Sequence, residues 1–256
     1  KNTNLDEADI IRLSYDLQAD SYIKIFNERK KIKVLRGVID EINKTNSNTV
    51  LDFGCGDLTS FYTVAKNLKK NKEKTFFACD ISFSRILPGV NFFKKRGMDL
   101  RNKFFFVNQN HKLPFLDSSI DIVTTCHSIE PNKSKASLII KELYRVAKKK
   151  LILLEPDNNL VRNKYPKKLK KKILSRMRKN NYVINIRNIL KKFQFNFKVV
   201  ENEFNATKLN PASIFIIKKG KLKKNNKSKF CNPSELLNND VLKKNDHFYY
   251  SELTGE

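Results

Sequence analysis

The sequence predicts an α/β fold, a mostly parallel sheet with helices on both faces. From Thr49 to Leu154 short apolar runs alternate with stretches of helical period. The run Val50-Leu51-Asp52-Phe53-Gly54-Cys55-Gly56-Asp57 reads as a buried strand, a tight turn and a helix N-terminus, where backbone N–H groups meet a small ligand. Two further strand-like runs, Phe195–Glu203 and Ser213–Lys218, come late and close together, as an antiparallel hairpin closing one sheet edge would.

Before the alternation, residues 5–26 place Leu5, Ile10, Leu13, Leu17 and Tyr22 near helical spacing, and 28–43 put Ile32, Leu35, Val38, Ile39 and Ile42 on one face. Residues 1–45 are therefore expected to form a helical cap over the ligand, with Tyr15 and Tyr22 either packed in its core, the favoured reading, or facing the ligand. Strands are expected at Thr49–Phe53, Thr75–Cys79, Lys103–Asn108, Ile120–Thr125 and Leu151–Leu154. Helices are expected at Thr59–Leu68, at Ser82–Lys95 with an interruption at Pro88-Gly89, and at Ser134–Ala147 with Leu138, Ile139, Leu143 and Val146 inward. After Glu155-Pro156 come a basic amphipathic helix, Lys167–Lys179, and another at Val183–Phe193. The core is expected to span 46–219. Residues 220–256, a charged linker and a short tail, are too few to fold alone.

At 256 residues and 40% apolar the chain can bury one sizeable core. No run is long enough to be a membrane span. The stretch Lys1–Asp9 is polar and acidic, unlike a signal peptide, and it lacks an initiator Met, so a segment is expected to precede it. Cys55, Cys79, Cys126 and Cys231 form no CxxC pair, so free thiols in a reducing, cytoplasmic setting are expected. The net charge of +26 points either to a solvated Lys-rich surface, with 41 Lys against 11 Arg, or to an anionic partner. Residues 148–227 carry 24 Lys and Arg against four acids, so an RNA or anionic membrane partner would face that region.

The turn lacks the third glycine of a dinucleotide fingerprint, since Thr59 stands there. S-adenosylmethionine, with an amino acid end and a ribose but no phosphate, suits Gly54 and Gly56, which let it pass close to backbone. Cys55 lies between them. Asp52 either meets the cofactor's amino group or holds the turn. Asp80, ending the second strand, suits the ribose hydroxyls or caps a helix, and Ile81 is placed to cover the adenine.

Taken together, Val50–Asp57, Phe77–Ser82, Leu113-Pro114-Phe115 and Ser119–Val123 resemble the class I S-adenosylmethionine-dependent methyltransferases, and Leu113–Val123 is similar to the matching stretch of the ubiquinone-biosynthesis-like group. The resemblance spans about residues 45–218. It implies a Rossmann-like, seven-stranded, mostly parallel sheet with an antiparallel C-terminal hairpin, and S-adenosyl-L-methionine as cofactor. Leu58 stands where the family often has glycine, and Gln109 where it often has an acid for the adenine amino group. The Gln109 amide oxygen still accepts that bond, and Asn110 offers a backbone N–H to the ring. Cys126, ending the fourth strand, completes the expected cofactor set. His127–Asn132, Lys141–Val146 and Leu153–Pro156 resemble a methyltransferase group tied to surface-polysaccharide pathways. A short tail similar to zinc-ribbon activators follows in that group. Here it would keep Cys231 alone as a ligand, so no zinc is expected.

Methyl transfer needs a base where the acceptor must lose a proton. His127 and Glu130, just after the fourth strand, are the candidates, His127 as base or as a structural neighbour of the cofactor. The expected activity is methylation of a small metabolite or sugar. The alternatives are an RNA methyltransferase, or a non-catalytic cofactor-binding scaffold suggested by Leu58 and Gln109.

Overall fold

A computed structural model describes residues 5–108, 111–180, 182, 185–202, 204 and 210–220, together with the backbone of 243–245 and 248–250. The N-terminal segment forms α1 (Glu7–Asp16), α2 (Ser21–Lys24) and α3 (Glu28–Asn43). Alternation then gives β1 (Thr49–Phe53), α4 (Thr59–Asn67), β2 (Thr75–Asp80), α5 (Phe83–Lys95), β3 (Lys103–Val107), β4 (Ile120–Cys126), α6 (Ala136–Val146) and β5 (Ala147–Pro156). The remaining core elements are α7 (Asn158–Lys164), α8 (Lys167–Lys179), α9 (Ile186–Lys192), β6 (Phe197–Glu201) and β7 (Ala212–Lys218).

The seven core strands lie in the order β6-β7-β5-β4-β1-β2-β3. β1 to β5 are parallel, and β7 runs antiparallel to both β5 and β6. The expected late hairpin is therefore present, with its second strand inserted between β5 and the first. Two short strands, β8 (Lys243–Asn245) and β9 (Phe248–Tyr250), extend the β3 edge, β9 parallel to it.

Successive strand residues point to opposite faces, and each face has its own core. Val50, Phe76, Phe105, Ile152 and Ile214 pack against α3, α4 and α5. Leu51, Phe77, Phe106, Leu153 and Phe215 pack against α6 and α9. This is the signature of a sheet covered on both sides.

Three expectations are corrected. Pro88-Gly89 does not interrupt α5, which runs unbroken from Phe83 to Lys95 behind the Ser82 N-cap. A Cβ on Gly89 would come within 2.8 Å of the Leu58 side chain and 2.9 Å of the Asp57 backbone, so this glycine lets α5 lie directly against the turn after β1. Leu138 points outward, half exposed, while Ile140 takes the inward place beside Ile139 and Leu143. The apolar stripe of residues 5–26 faces solvent: α1 buries no residue, and Leu17 is 90% exposed. Among the described residues no helix is long and apolar enough to cross a membrane, and Cys55, Cys79 and Cys126 are free thiols. Cys231 lies outside the described residues.

Candidate active site

The C-terminal ends of β1, β2 and β4 open into one cavity of about 340 Å³, roofed by α1, α2 and the end of α8. It is lined by Asp52, Gly54, Cys55 and Gly56 from the first turn, by Asp80 and Ile81 from the second, and by Cys126, His127 and Glu130 from the fourth. Nine of the eleven expected site residues thus share one space. Gln109 and Asn110 lie outside the described residues.

The turn after β1 is built by backbone geometry. Gly54 and Gly56 adopt φ of +71° and +53°, a region that side chains disfavour. A Cβ on Gly54 would lie 2.2 Å from the Ser128 Cβ, and one on Gly56 would lie 2.4 Å from the Arg85 guanidinium. Leu58 also adopts a left-handed conformation, φ +58°, as the N-cap of α4, and it is fully buried. The glycine that similar sequences often carry here is replaced without loss of the turn. Leucine in that conformation costs about 1–2 kcal/mol, and its burial among the apolar side chains of α4 and α5 offsets that cost.

Asp80 holds this turn from the neighbouring strand. One carboxylate oxygen accepts the Gly56 N–H at 2.7 Å and the other accepts the Ser82 N–H at 2.9 Å. Burial raises its pKa against the lowering effect of Arg85. Asp52 is equally buried, and among the described residues its side chain accepts one bond, from the Thr124 hydroxyl at 2.9 Å. Burial, with the Asp80 charge adding to it, pushes the Asp52 carboxyl up to about 7.

Arg85 ties the cap to the turn. Its guanidinium bonds Asp57 and lies over the rings of Tyr15 and Tyr22, at 5.1 and 5.3 Å. Asp57 also accepts the Tyr22 backbone N–H at 3.1 Å. Tyr15 and Tyr22 therefore line the cavity instead of packing in a separate core of the cap.

His127 sits where β4 ends, at φ +56°, a strained value for this residue type. Two anchors hold it there. Its N–H donates to the Leu154 carbonyl, and one oxygen of the buried Glu155 carboxyl accepts the next two backbone N–H groups, from Ser128 at 3.0 Å and Ile129 at 3.2 Å, as well as the Thr125 hydroxyl. Burial pushes the Glu155 carboxyl up to about 7. His127 Nδ1 lies 3.3 Å from Glu130 Oε2, and Asn210 Nδ2 donates to that same oxygen at 3.2 Å. Burial lowers the His127 pKa, but the Glu130 carboxylate raises it more, so it ends above its ordinary value. Asn210 Nδ2 also lies 3.3 Å from His127 Nδ1; in the tautomer that places the proton of Nδ1 toward Glu130, Nε2 is the basic nitrogen.

The ubiE/COQ5 methyltransferase family matches residues 9–177. The chain belongs to that family. It is an S-adenosylmethionine-dependent methyltransferase of Rossmann-like, class I fold. Among solved structures it is similar to magnesium protoporphyrin IX methyltransferase from Synechocystis PCC 6803 with bound SAH. The identity is 17% and the TM-score 0.60, over 84% of this chain and 100% of that one. A putative methyltransferase complexed with the Trm112 activator, from Haloferax volcanii, shares 11% identity at TM-score 0.60, over 81% and 96% of the two chains. A SAM-dependent methyltransferase from Aquifex aeolicus shares 18% identity at TM-score 0.51, over 84% and 98%. At these identities the likeness is one of fold. No curated protein matches the chain by sequence.

The residues present fit the cofactor. The cavity offers a turn without side chains at Gly54 and Gly56, a carboxylate already fixed by two backbone N–H groups at Asp80, and at Asp52 a buried carboxyl with no cation bonded to it among the described residues. Lys31, from α3, also lines the cavity, and its charge bears on Asp52, Cys126 and His127. Sequence reasoning did not single out Lys31, Arg85, Asn210 or Tyr182 as lining residues. Lys31, Asn210 and Tyr182 come from parts of the chain distant from the motifs, and Arg85 lies three residues past Ser82 without standing in one. Glu155 was visible in the Leu-Leu-Glu-Pro run, but its work on the 127–129 turn was not.

Proposed function

We propose that the protein methylates an acidic X–H group, such as a hydroxyl, on a small-molecule acceptor, with His127 as the base. The cluster of His127, Glu130 and Asn210, set in the same cavity as Asp52 and Asp80, carries this reading. In it Asp80 accepts from the ribose hydroxyls and Ile81 covers the adenine. Asp52 takes the amino group and Lys31 the carboxylate of the amino acid end. Cys55 and Cys126 line the walls. The cofactor supplies an electrophilic methyl on a sulfonium. The protein's work is to align the acceptor with it and to take the acceptor's proton at His127 Nε2, while Glu130 steadies the imidazolium that forms. Asn210 donates a hydrogen bond to the Glu130 carboxylate and so fixes it, and through it the ring.

Calorimetry with S-adenosylhomocysteine, followed by incubation with methyl-labelled S-adenosylmethionine and a cell extract, tests the proposal. It expects binding and label in the dialysable fraction, lost in His127→Asn. Label in RNA, or binding with no transfer to any fraction, would overturn it.

A further inference from the structure

The outer surface over the cavity combines two features that the methyl transfer chemistry does not use. The first is α1, which has two faces. Ala8, Ile11 and Tyr15 line the cavity, while Ile10, Leu13 and Leu17 are 53%, 41% and 90% exposed. At 3.6 residues per turn these two sets point roughly 160° apart, so the apolar set faces away from the cavity, outward from the roof. Ile25, just past α2, adds to it at 76% exposure.

The second is α8, the other part of the roof. Eight of its thirteen residues are Lys or Arg and none is Asp or Glu. Its apolar side is spent: Ile173 and Met177 are buried against Val161 of α7. The cations stand on the remaining faces, and among the described residues none of them forms an ion pair. Surface helices elsewhere in the chain pair their charges, as Lys66 does with Glu28 and Arg145 with Glu142.

We propose that this roof is a docking surface for an anionic lipid bilayer. The lysines of α8 would lie against the headgroups, and Leu13, Leu17 and Ile25 would enter the interface beside them. Each half selects the partner. Clustered lysines without acids gain about 1 kcal/mol each near an anionic surface, and exposed Leu and Ile gain from leaving water. A second copy of this chain fits poorly, because a protein of net charge +26 repels itself. A nucleic acid would use the lysines but would give Leu13, Leu17 and Ile25 nothing to bury against. The inference is independent of the acceptor's identity.

Flotation of the full chain with vesicles tests it. Vesicles of phosphatidylcholine with about one third phosphatidylglycerol should bind the protein at low salt, with affinity falling as salt rises, and pure phosphatidylcholine should bind it weakly. Lys168→Gln, Lys171→Gln and Lys172→Gln together should lower the partition about 100-fold, about fivefold each. Leu13→Ser with Leu17→Ser should lower it roughly tenfold. These side chains are exposed, and unchanged S-adenosylhomocysteine binding checks the fold. Absence of binding to the anionic vesicles would overturn the proposal. So would leucine variants that bind them as the wild type does. So would a poly(U) affinity that exceeds vesicle binding and depends on the lysines alone, which would assign α8 to nucleic acid.

Discussion

Asp52→Asn separates the cost of the cofactor site from its use. Asp52 is buried, bonded by the Thr124 hydroxyl, and its carboxyl titrates near 7 in place of the ordinary 3.8. A raised pKa means that the folded protein holds this proton more tightly than the unfolded chain. Its contribution to stability is therefore full below pH 4 and is lost as pH rises through 7. A shift of about three units is about 4 kcal/mol at most. The neutral amide, itself a buried polar group, recovers about half of that, and in a chain of this size roughly 2 kcal/mol moves Tm by some 4–8 °C. Scanning calorimetry at pH 5 and pH 8 should thus show the variant more stable than wild type at pH 8 and nearly equal to it at pH 5. S-adenosylhomocysteine binding should be weaker by tenfold or more at pH 8, because the ionised carboxylate is the form that attracts an ammonium. For the wild type, affinity should fall about tenfold per pH unit below 7. Equal Tm differences at the two pH values would refute a raised Asp52 pKa. Unchanged affinity in the variant would remove Asp52 from the cofactor site.

Leu58→Gly should relieve about 1 kcal/mol of backbone strain but remove a fully buried side chain worth about 3 kcal/mol, leaving the protein some 2 kcal/mol less stable to urea. A stabilised variant would show that the left-handed leucine is the larger burden. Arg85→Ala leaves Asp57 buried without its cation and should cost about 3–5 kcal/mol; limited proteolysis should then cut near residues 17–26, where the cap loses its tie to Tyr15 and Tyr22. His127→Asn keeps a residue type that tolerates positive φ and should lower kcat roughly 10²–10⁴-fold. It should also erase the acid limb of the pH profile, which in the wild type lies above the ordinary histidine value.

The parallel half of the sheet was legible because its strands are short apolar runs bounded by turn residues, and β1 matches its expected range, Thr49–Phe53, residue for residue. β5 begins four residues earlier than expected, at Ala147, because its first turn of chain is Ala-Lys-Lys-Lys. Those lysines remain in a strand through tertiary ion pairs, Lys149 with Asp121 and Lys150 with Glu41, which no local pattern announces. α7 escaped notice for a similar reason: it is seven residues long and rich in Asn, and its N-cap Asp157 is also held by Arg187 and Ser213 from later elements. Within the cavity, the strand-end residues Asp52, Asp80 and Cys126 were readable, since strand ends meet at one edge of a parallel sheet, whereas Phe53, Cys79 and Asn108, which also line it, were not singled out. The roof escaped as well. Asn210 joins His127 across 83 positions, and the solvent-facing stripe of α1 has the same period as a buried one.

The place of β7 has a consequence for the order in which the chain can assemble. β6 is made before β7, yet among the described residues its sheet partner is β7, which lies between it and β5. A chain emerging from the ribosome as far as residue 201 would own six of the seven core strands with only five of them paired. Ser213 would also be missing from the Asp157 cap beside Arg187. Until the last core strand arrives β5 is an open edge, and β5 bears Glu155, which holds the turn that carries His127. The side of the sheet that supports the His127 turn is thus closed by contacts of long sequence separation, and pairing of this edge is expected to be a slow step of folding.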